Sequence, residues 1–264
     1  MRKVIAESNP EVGRNINAGG YTTNYHDIGT GFPTLMLHGS GPGVSAWANW
    51  RAVIPALSAG RRIVAPDLLG FGYSERPSGV RYNLDNWVQH AVGLLGGALS
   101  LALAVRHPGR VRRLVLMGSA GVPFAITTAL DAVWGYTPSL ENMRSMMDIF
   151  AHDRGLVTDE LARMRYEASL QPGLQEAYSS MFPTPRQNAV DELCSPEAAL
   201  RALPHQTLII HGREDRVIPP ANAAKLSEWI PNSQMHIFGK CGHWTQIEHA
   251  GRFSRLVAGF LDHE

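Results

Sequence analysis

Asp215, in His211-Gly212-Arg213-Glu214-Asp215, and His243, in Cys241-Gly242-His243-Trp244, each follow a short apolar run. An acid that fixes an imidazole's tautomer and an imidazole that moves protons are two parts of a hydrolytic machine. His38-Gly39-Ser40-Gly41-Pro42-Gly43 supplies a third. It is too glycine-rich for a helix, and glycines let backbone N–H groups approach a developing oxyanion. Each feature also has a plain structural reading: an Asx turn at Asp215, a core imidazole at His243, a Gly/Pro turn at 38–43. An acid followed by a histidine, both just past strands, favours the chemical reading. The fourth part is missing. No Gly-x-Ser-x-Gly occurs in the chain, so no sharp strand-to-helix turn presents an attacking serine.

Positioning these residues requires a sheet whose strands end at one edge. Tyr21–Ile28 alternates and predicts an early antiparallel strand. The apolar runs at 33–38, 62–66, 113–117, 207–211 and 234–238 predict strands, the first four of them buried. Helical spacing marks 46–59, 84–95, 221–230 and 244–261. This order is that of an α/β fold, a mostly parallel sheet with flanking helices and an antiparallel start. Residues 122–200 break the alternation with helix-rich sequence and read as a lid. Met143, Met146, Met147, Ile149 and Phe150, with Trp134 and Tyr136, either pack that lid on itself or line a pocket. The expected division is core 1–121, lid 122–200, core 201–264.

Composition excludes several functions. Twenty-four basic residues against 23 acidic ones leave a net charge of +1, too little to hold a phosphate backbone, so nucleic acid is not expected as a partner. The longest apolar stretch, near 94–105, is too short and glycine-rich for a membrane span. The N-terminus lacks the apolar run of a secretory signal. Two cysteines, Cys194 and Cys241, fit a reducing cytoplasm rather than a disulfide framework. His, Cys and acidic residues do not cluster at metal-ligand spacing, and no phosphate loop precedes a helix, so neither metal nor cofactor is expected.

HGSGPGVSAWANWR (38–51), APDLLGFGYSERP (65–77), RVRRLVLMGSAG (110–121), DAVWGYTP (131–138), HGREDRVIP (211–219) and FGKCGHWTQIEHA (238–250) carry a resemblance. The chain resembles the meta-cleavage product hydrolases of the α/β-hydrolase fold. The resemblance implies hydrolysis of a carbon–carbon bond in 2-hydroxy-6-oxo-hexa-2,4-dienoates, such as 2-hydroxymuconic semialdehyde, in aromatic catabolism. The products would be 2-hydroxypenta-2,4-dienoate and a small carboxylic acid. It implies His243 as proton shuttle, Asp215 as its orienting acid, and Gly39, Ser40 and Gly41 as the oxyanion loop. Ser40 and Asn49 match polar positions near the substrate, and Phe150 and Trp244 match aromatic walls. Arg165 matches a lid arginine that grips the substrate's carboxylate and oxo end, a task suited to a planar guanidinium. A solvated helix charge is the plain reading of Arg165. A small-molecule substrate is the implied partner, and the resemblance suggests a homo-oligomer.

In this family a strand and a Gly-Asn-Ser-Phe-Gly-Gly turn precede the helix ending in Arg-His-Pro. Here Trp87-Val88-Gln89-His90-Ala91-Val92-Gly93-Leu94-Leu95 runs straight into Gly96-Gly97-Ala98-Leu99-Ser100. Relative to the family about 15 residues are missing, the length of one short strand with its turns. One central strand, lost between residues 95 and 96, and the serine nucleophile are therefore expected to be absent. Impaired hydrolysis is the consequence. A non-catalytic binder of dienoate or aromatic acids and a defective deletion product are the alternatives. Ser100 and Ser119 are the nearest substitute hydroxyls, both poorly placed. If the sheet heals, 84–107 would bend at Gly96-Gly97 and the strand at 113–117 would slide over to pair with 34–38.

Overall fold

Two glycines begin the architecture. In the computed structural model, which describes residues 9–93 and 100–262, β1 (Arg14–Ala18) and β2 (Tyr21–Ile28) form an antiparallel hairpin closed by Gly19 and Gly20. Their φ angles of 61° and 93° are those a two-residue hairpin turn needs, and glycine adopts them without a Cβ clash. The sequence pattern gives no sign of β1, because only Ala18 of its five residues is buried.

β2 pairs antiparallel with β4 (Arg62–Pro66), and β4 pairs in parallel with β3 (Pro33–Leu35), in the order β1-β2-β4-β3. β5 (Arg113–Met117), β6 (Gln206–Gly212) and β7 (Ser233–Phe238) make a second, wholly parallel sheet. The strand expected over 33–38 is thus three residues long and only half-buried. It is an edge. Among the described residues no strand joins β3 to β5.

The expected slide of β5 onto β3 does not occur: among the described residues β5 pairs only with β6. It is anchored on its other side. Five register pairs bind it to β6, and the Arg113 guanidinium donates to the Leu261 carbonyl at 2.6 Å. To reach β3 the strand would have to leave β6 or drag that whole sheet and its helices along. The loss of a strand between 95 and 96 and the bend at Gly96-Gly97 lie outside the described residues, between α3 (Leu84–Gly93) and α4 (Ser100–Arg106).

Helices hold the two sheets together. The patterns at 46–59 and 244–261 each fold as two helices: α1 (Ala46–Trp50) with α2 (Ile54–Leu57), and α12 (Thr245–Glu248) with α13 (Ala250–Asp262). Trp50, Leu57, Phe253 and Val257 share one apolar core with Ile63 of the first sheet and Leu208 and Phe238 of the second. On the other face, α4 and α11 (Pro220–Trp229) pack Leu101, Leu226 and Trp229 against Leu114, Leu116 and Ile209.

Between β5 and β6 the chain is helical: α5 (Thr128–Trp134), α6 (Leu140–Phe150), α7 (Asp159–Ser169), α8 (Leu174–Met181), α9 (Gln187–Glu192) and α10 (Glu197–Arg201). Thr127, Ser139 and Thr158 cap α5, α6 and α7 by accepting from a backbone N–H three residues on. Met143, Met146, Met147 and Phe150 are buried with Trp134, Tyr178 and Phe182 in a core beneath these helices. Among the described residues no helix is long and apolar enough to cross a membrane.

Candidate active site

The carboxyl ends of β5, β6 and β7 meet at Asp215 and His243. Asp215 lies in the turn after β6, where its Oδ1 accepts from the backbone N–H of Val217 at 2.8 Å and Ile218 at 3.1 Å. Its Oδ2 lies 2.8 Å from His243 Nδ1 and 3.1 Å from His211 Nε2. The carboxylate is buried and faces four donors. Burial pushes its pKa up, but the two imidazoles outweigh burial and hold it well below the usual carboxylate range. It is a fixed anion.

His243 is set by its own backbone. Its N–H donates to the Phe150 carbonyl at 2.8 Å, and the preceding Gly242 N–H donates to Glu248 at 2.7 Å. Glycine is required at 212, since a Cβ there would meet the Gly242 carbonyl oxygen at 2.0 Å. Burial works against a charge on the imidazole, and the Asp215 carboxylate outweighs it, raising the His243 pKa. With Nδ1–H on Asp215, Nε2 carries the lone pair and can act as base. Gly118, at the end of β5, leaves room for the ring: a Cβ there would lie 3.0 Å from His243 Cε1.

A cavity of about 1070 Å³ opens in front of this pair. Gly39, Ser40, Gly41, Asn49, Phe150, Arg165, His243 and Trp244 all line it. Asp215, behind His243, does not. Among the described residues the N–H groups of Gly39, Ser40 and Gly41 meet no acceptor, so they are available to an oxyanion. His38 latches the loop, with Nδ1–H to the Gly39 carbonyl at 2.8 Å and Nε2 accepting from Leu68 N–H at 2.9 Å. Burial lowers its pKa to about 4, so it stays neutral. Ser40 Oγ accepts from Trp134 Nε1 at 3.1 Å, and its carbonyl accepts from Tyr178 at 3.0 Å. Phe150 stacks on Trp244 at 5.4 Å and lies 5.5 Å from the His243 ring.

Arg165 projects from α7 into a buried ion pair. Its terminal nitrogens bond Glu11 and the Gly43 carbonyl, the latter at 3.1 Å. Glu11 in turn accepts from Ser45 at 2.6 Å. Arg165 Nε and Asn49 Nδ2 are among the buried donors without a partner in the described residues. Arg163 is exposed. Sequence reasoning missed Glu11, His211 and Gly118. His211 had a faint signal, standing four residues before Asp215, whereas nothing local marks Glu11.

The sequence profile of the alpha/beta hydrolase fold family matches residues 33–92 and 95–250. The chain belongs to this family. Similar relatives are 2-hydroxymuconate semialdehyde hydrolase of Pseudomonas sp. (strain CF600), 60% identical over 97% of this chain and 95% of that protein, and 2-hydroxy-6-oxo-2,4-heptadienoate hydrolase of Pseudomonas putida, 55% identical over 96% and 97%. The meta-cleavage product hydrolase CumD of Pseudomonas fluorescens IP01, a mutant complexed with acetates, superposes with a TM-score of 0.94 at 54% identity, covering 96% of this chain and 99% of that one.

These alignments bear on the missing strand. That with the strain CF600 hydrolase runs over 270 residues, yet 97% of this 264-residue chain is only about 256. The difference leaves about 14 positions of that hydrolase with no counterpart here. The family profile breaks between residues 92 and 95, where a strand and a nucleophile turn are expected in an alpha/beta hydrolase. Among the described residues no hydroxyl hydrogen-bonds His243 Nε2. Ser119 Oγ instead bonds the Met117 carbonyl at 3.3 Å, and Ser100 opens α4.

Proposed function

We propose that this chain is a carbon–carbon bond hydrolase of the 2-hydroxymuconic semialdehyde type, with turnover impaired by the loss of its serine. The observation that carries the reading is the Asp215–His243 pair at 2.8 Å, with no hydroxyl among the described residues on the other imidazole nitrogen. His243 Nε2 would take a proton from water. The water oxygen joins the C6 carbonyl carbon, and the N–H groups of Gly39, Ser40 and Gly41 receive the oxyanion. In the 2-keto tautomer, formed when His243 moves the 2-hydroxyl proton to C5, the C5–C6 bond then breaks, its electron pair passing through C4 and C3 to the C2 oxygen, which takes the proton from His243. Formate and 2-hydroxypenta-2,4-dienoate result. Asn49 and Arg165, which line the cavity, are the residues offered to the substrate's carboxylate, while Phe150 and Trp244 flank its carbon chain. Residues 122–200 act as the lid over the core formed by 1–121 and 201–264. The cysteines, both unpaired, support a cytoplasmic setting.

The test monitors the yellow chromophore of 2-hydroxymuconic semialdehyde with the purified protein. Slow bleaching with equimolar formate, abolished in His243→Ala, is the expected outcome. The absent hydroxyl partner favours one second reading, a dienoate binder without turnover. Unchanged colour with a folded protein that still binds the dienoate would replace the hydrolase reading by that one.

A further inference from the structure

The end of α6 and the loop that carries His243 are stitched together. α6 stops at Phe150, where Ala151 turns extended with φ −89° and ψ 137°. The last carbonyls of a helix have no partner inside it, and that of Phe150 accepts from the His243 N–H at 2.8 Å. Past the turn, the N–H groups of His152 and Asp153 each donate to Glu248 Oε2 at 2.9 Å. Glu248 Oε1 accepts from the Gly242 N–H at 2.7 Å. One carboxylate thus spans two separate stretches of chain. The single turn of α12, closed by the Glu248 N–H on the Trp244 carbonyl at 2.8 Å, is what returns it beside Gly242.

The two stretches lie close. A Cβ at 242 would stand 2.4 Å from the Phe150 carbonyl oxygen and 2.9 Å from the His152 nitrogen, so glycine alone permits the approach. On its other side the loop is bonded to the turn after β6. The Glu214 N–H donates to the Cys241 carbonyl at 3.0 Å, and the Cys241 N–H donates to Glu214 Oε2 at 2.9 Å. That turn carries Asp215. His243 therefore sits between the stretch that bears its acid and the stretch that bears Phe150, whose ring lies 5.5 Å from the imidazole. Glu248 is half-buried, and among the described residues it makes no hydrogen bond to the imidazole, whose Nδ1 is held by Asp215.

We propose, on the reading of His243 as the base, that Glu248 is a positioning residue: by pinning Gly242 to residues 152–153 it fixes the reach of His243 Nδ1 to Asp215 and keeps Phe150 against the ring. An amide cannot take over this task. In E248Q the side-chain oxygen accepts and the NH2 does not. If the oxygen keeps His152 and Asp153, the Gly242 N–H faces a donor. If it keeps Gly242, the other two N–H groups face one. Neither orientation spans both stretches.

The experiment is an NMR titration of His243 in the full chain, wild type against E248Q, with thermal unfolding alongside. It is run in 1 M KCl, where the Debye length is about 3 Å, so that the removed charge is screened and the geometry is read. The His243 pKa in E248Q should fall by about one pH unit, the size of a weakened charge-assisted hydrogen bond. A merely structural anchor would lower Tm and leave the titration in place, and that result overturns the proposal. So does a fall at low salt that disappears in 1 M KCl. Should E248Q not fold, amide hydrogen exchange of the wild type decides. The N–H groups of Gly242, His152, Asp153 and His243 should share one degree of protection, and free exchange at the exposed His152 and Asp153 overturns the pin. None of these readouts needs turnover. A wild type that leaves the dienoate colour unchanged refutes the hydrolase reading, whereas the titration still decides Glu248.

Discussion

Replacing Asp215 by Asn changes one atom and four contacts. Each carboxylate oxygen now accepts from two donors: Val217 and Ile218 on Oδ1, His243 and His211 on Oδ2. An amide has only one oxygen. If that oxygen keeps the backbone pair, the amide NH2 confronts two imidazole N–H groups. His243 relieves the clash by moving its proton to Nε2, which leaves Nδ1 to accept and removes the base. Hydrogen bonds to charged groups contribute about 1.5–3 kcal/mol each. Losing the two from the imidazoles and regaining one weaker bond should cost about 3 kcal/mol, or a Tm drop of roughly 6–12 °C for a domain of this size. The charge that raises the His243 pKa goes too, and burial is left to lower it. Imidazole nitrogen NMR reads tautomer and titration together. The wild type should show Nδ1–H at His243 with a raised pKa, and D215N should show Nε2–H with a pKa below about 6.5, the free-histidine value. An Nε2–H tautomer in the wild type, or an unmoved titration in D215N, is incompatible with Asp215 as the group that sets the imidazole.

Two further outcomes come from buried charge. Burial lowers both His38 and His90 to about 4, with the His38 charge adding to the effect at His90, so the unfolded chain takes up their protons first, and stability present above pH 6.5 is lost as pH falls toward 4. Each contributes about 3 kcal/mol. Asp67, raised to about 6 by burial against three N–H donors, works the other way and offsets one of them over the same window. Scanning calorimetry should show a net Tm fall of about 10 °C between pH 7 and pH 4, and a flat profile contradicts the buried neutral histidines. Glu11→Gln leaves the Arg165 guanidinium buried without its counter-charge, and breaking such a pair costs about 3–5 kcal/mol. A chemical denaturation midpoint unmoved in E11Q would show that the pair is not formed in solution.

Local sequence was enough to read the alternation and to place Asp215 and His243 at one edge of the sheet. Asp215, His243 and the loop at 39–41 were legible because short-range rules place them: each comes directly after an apolar run, and a parallel strand delivers the residues past its end to one edge of a sheet. The polar hairpin strand β1 was not legible, since its partner and not its own pattern makes it a strand. Neither was the donor set on Asp215, because His211 reaches it through the turn's shape and Gly118 reaches His243 from another strand. Arg165 was found by its match to family positions, but its partner Glu11 stands 154 residues away in sequence, and only the folded chain brings the two into one buried pair. The missing strand shows the division most sharply. The sequence shows that about fifteen residues are gone relative to the family pattern, but local rules cannot say whether a sheet closes over such a loss. Among the described residues it is packing that separates β5 from β3: helices shared between the two sheets and β5's ladder to β6 hold it in place.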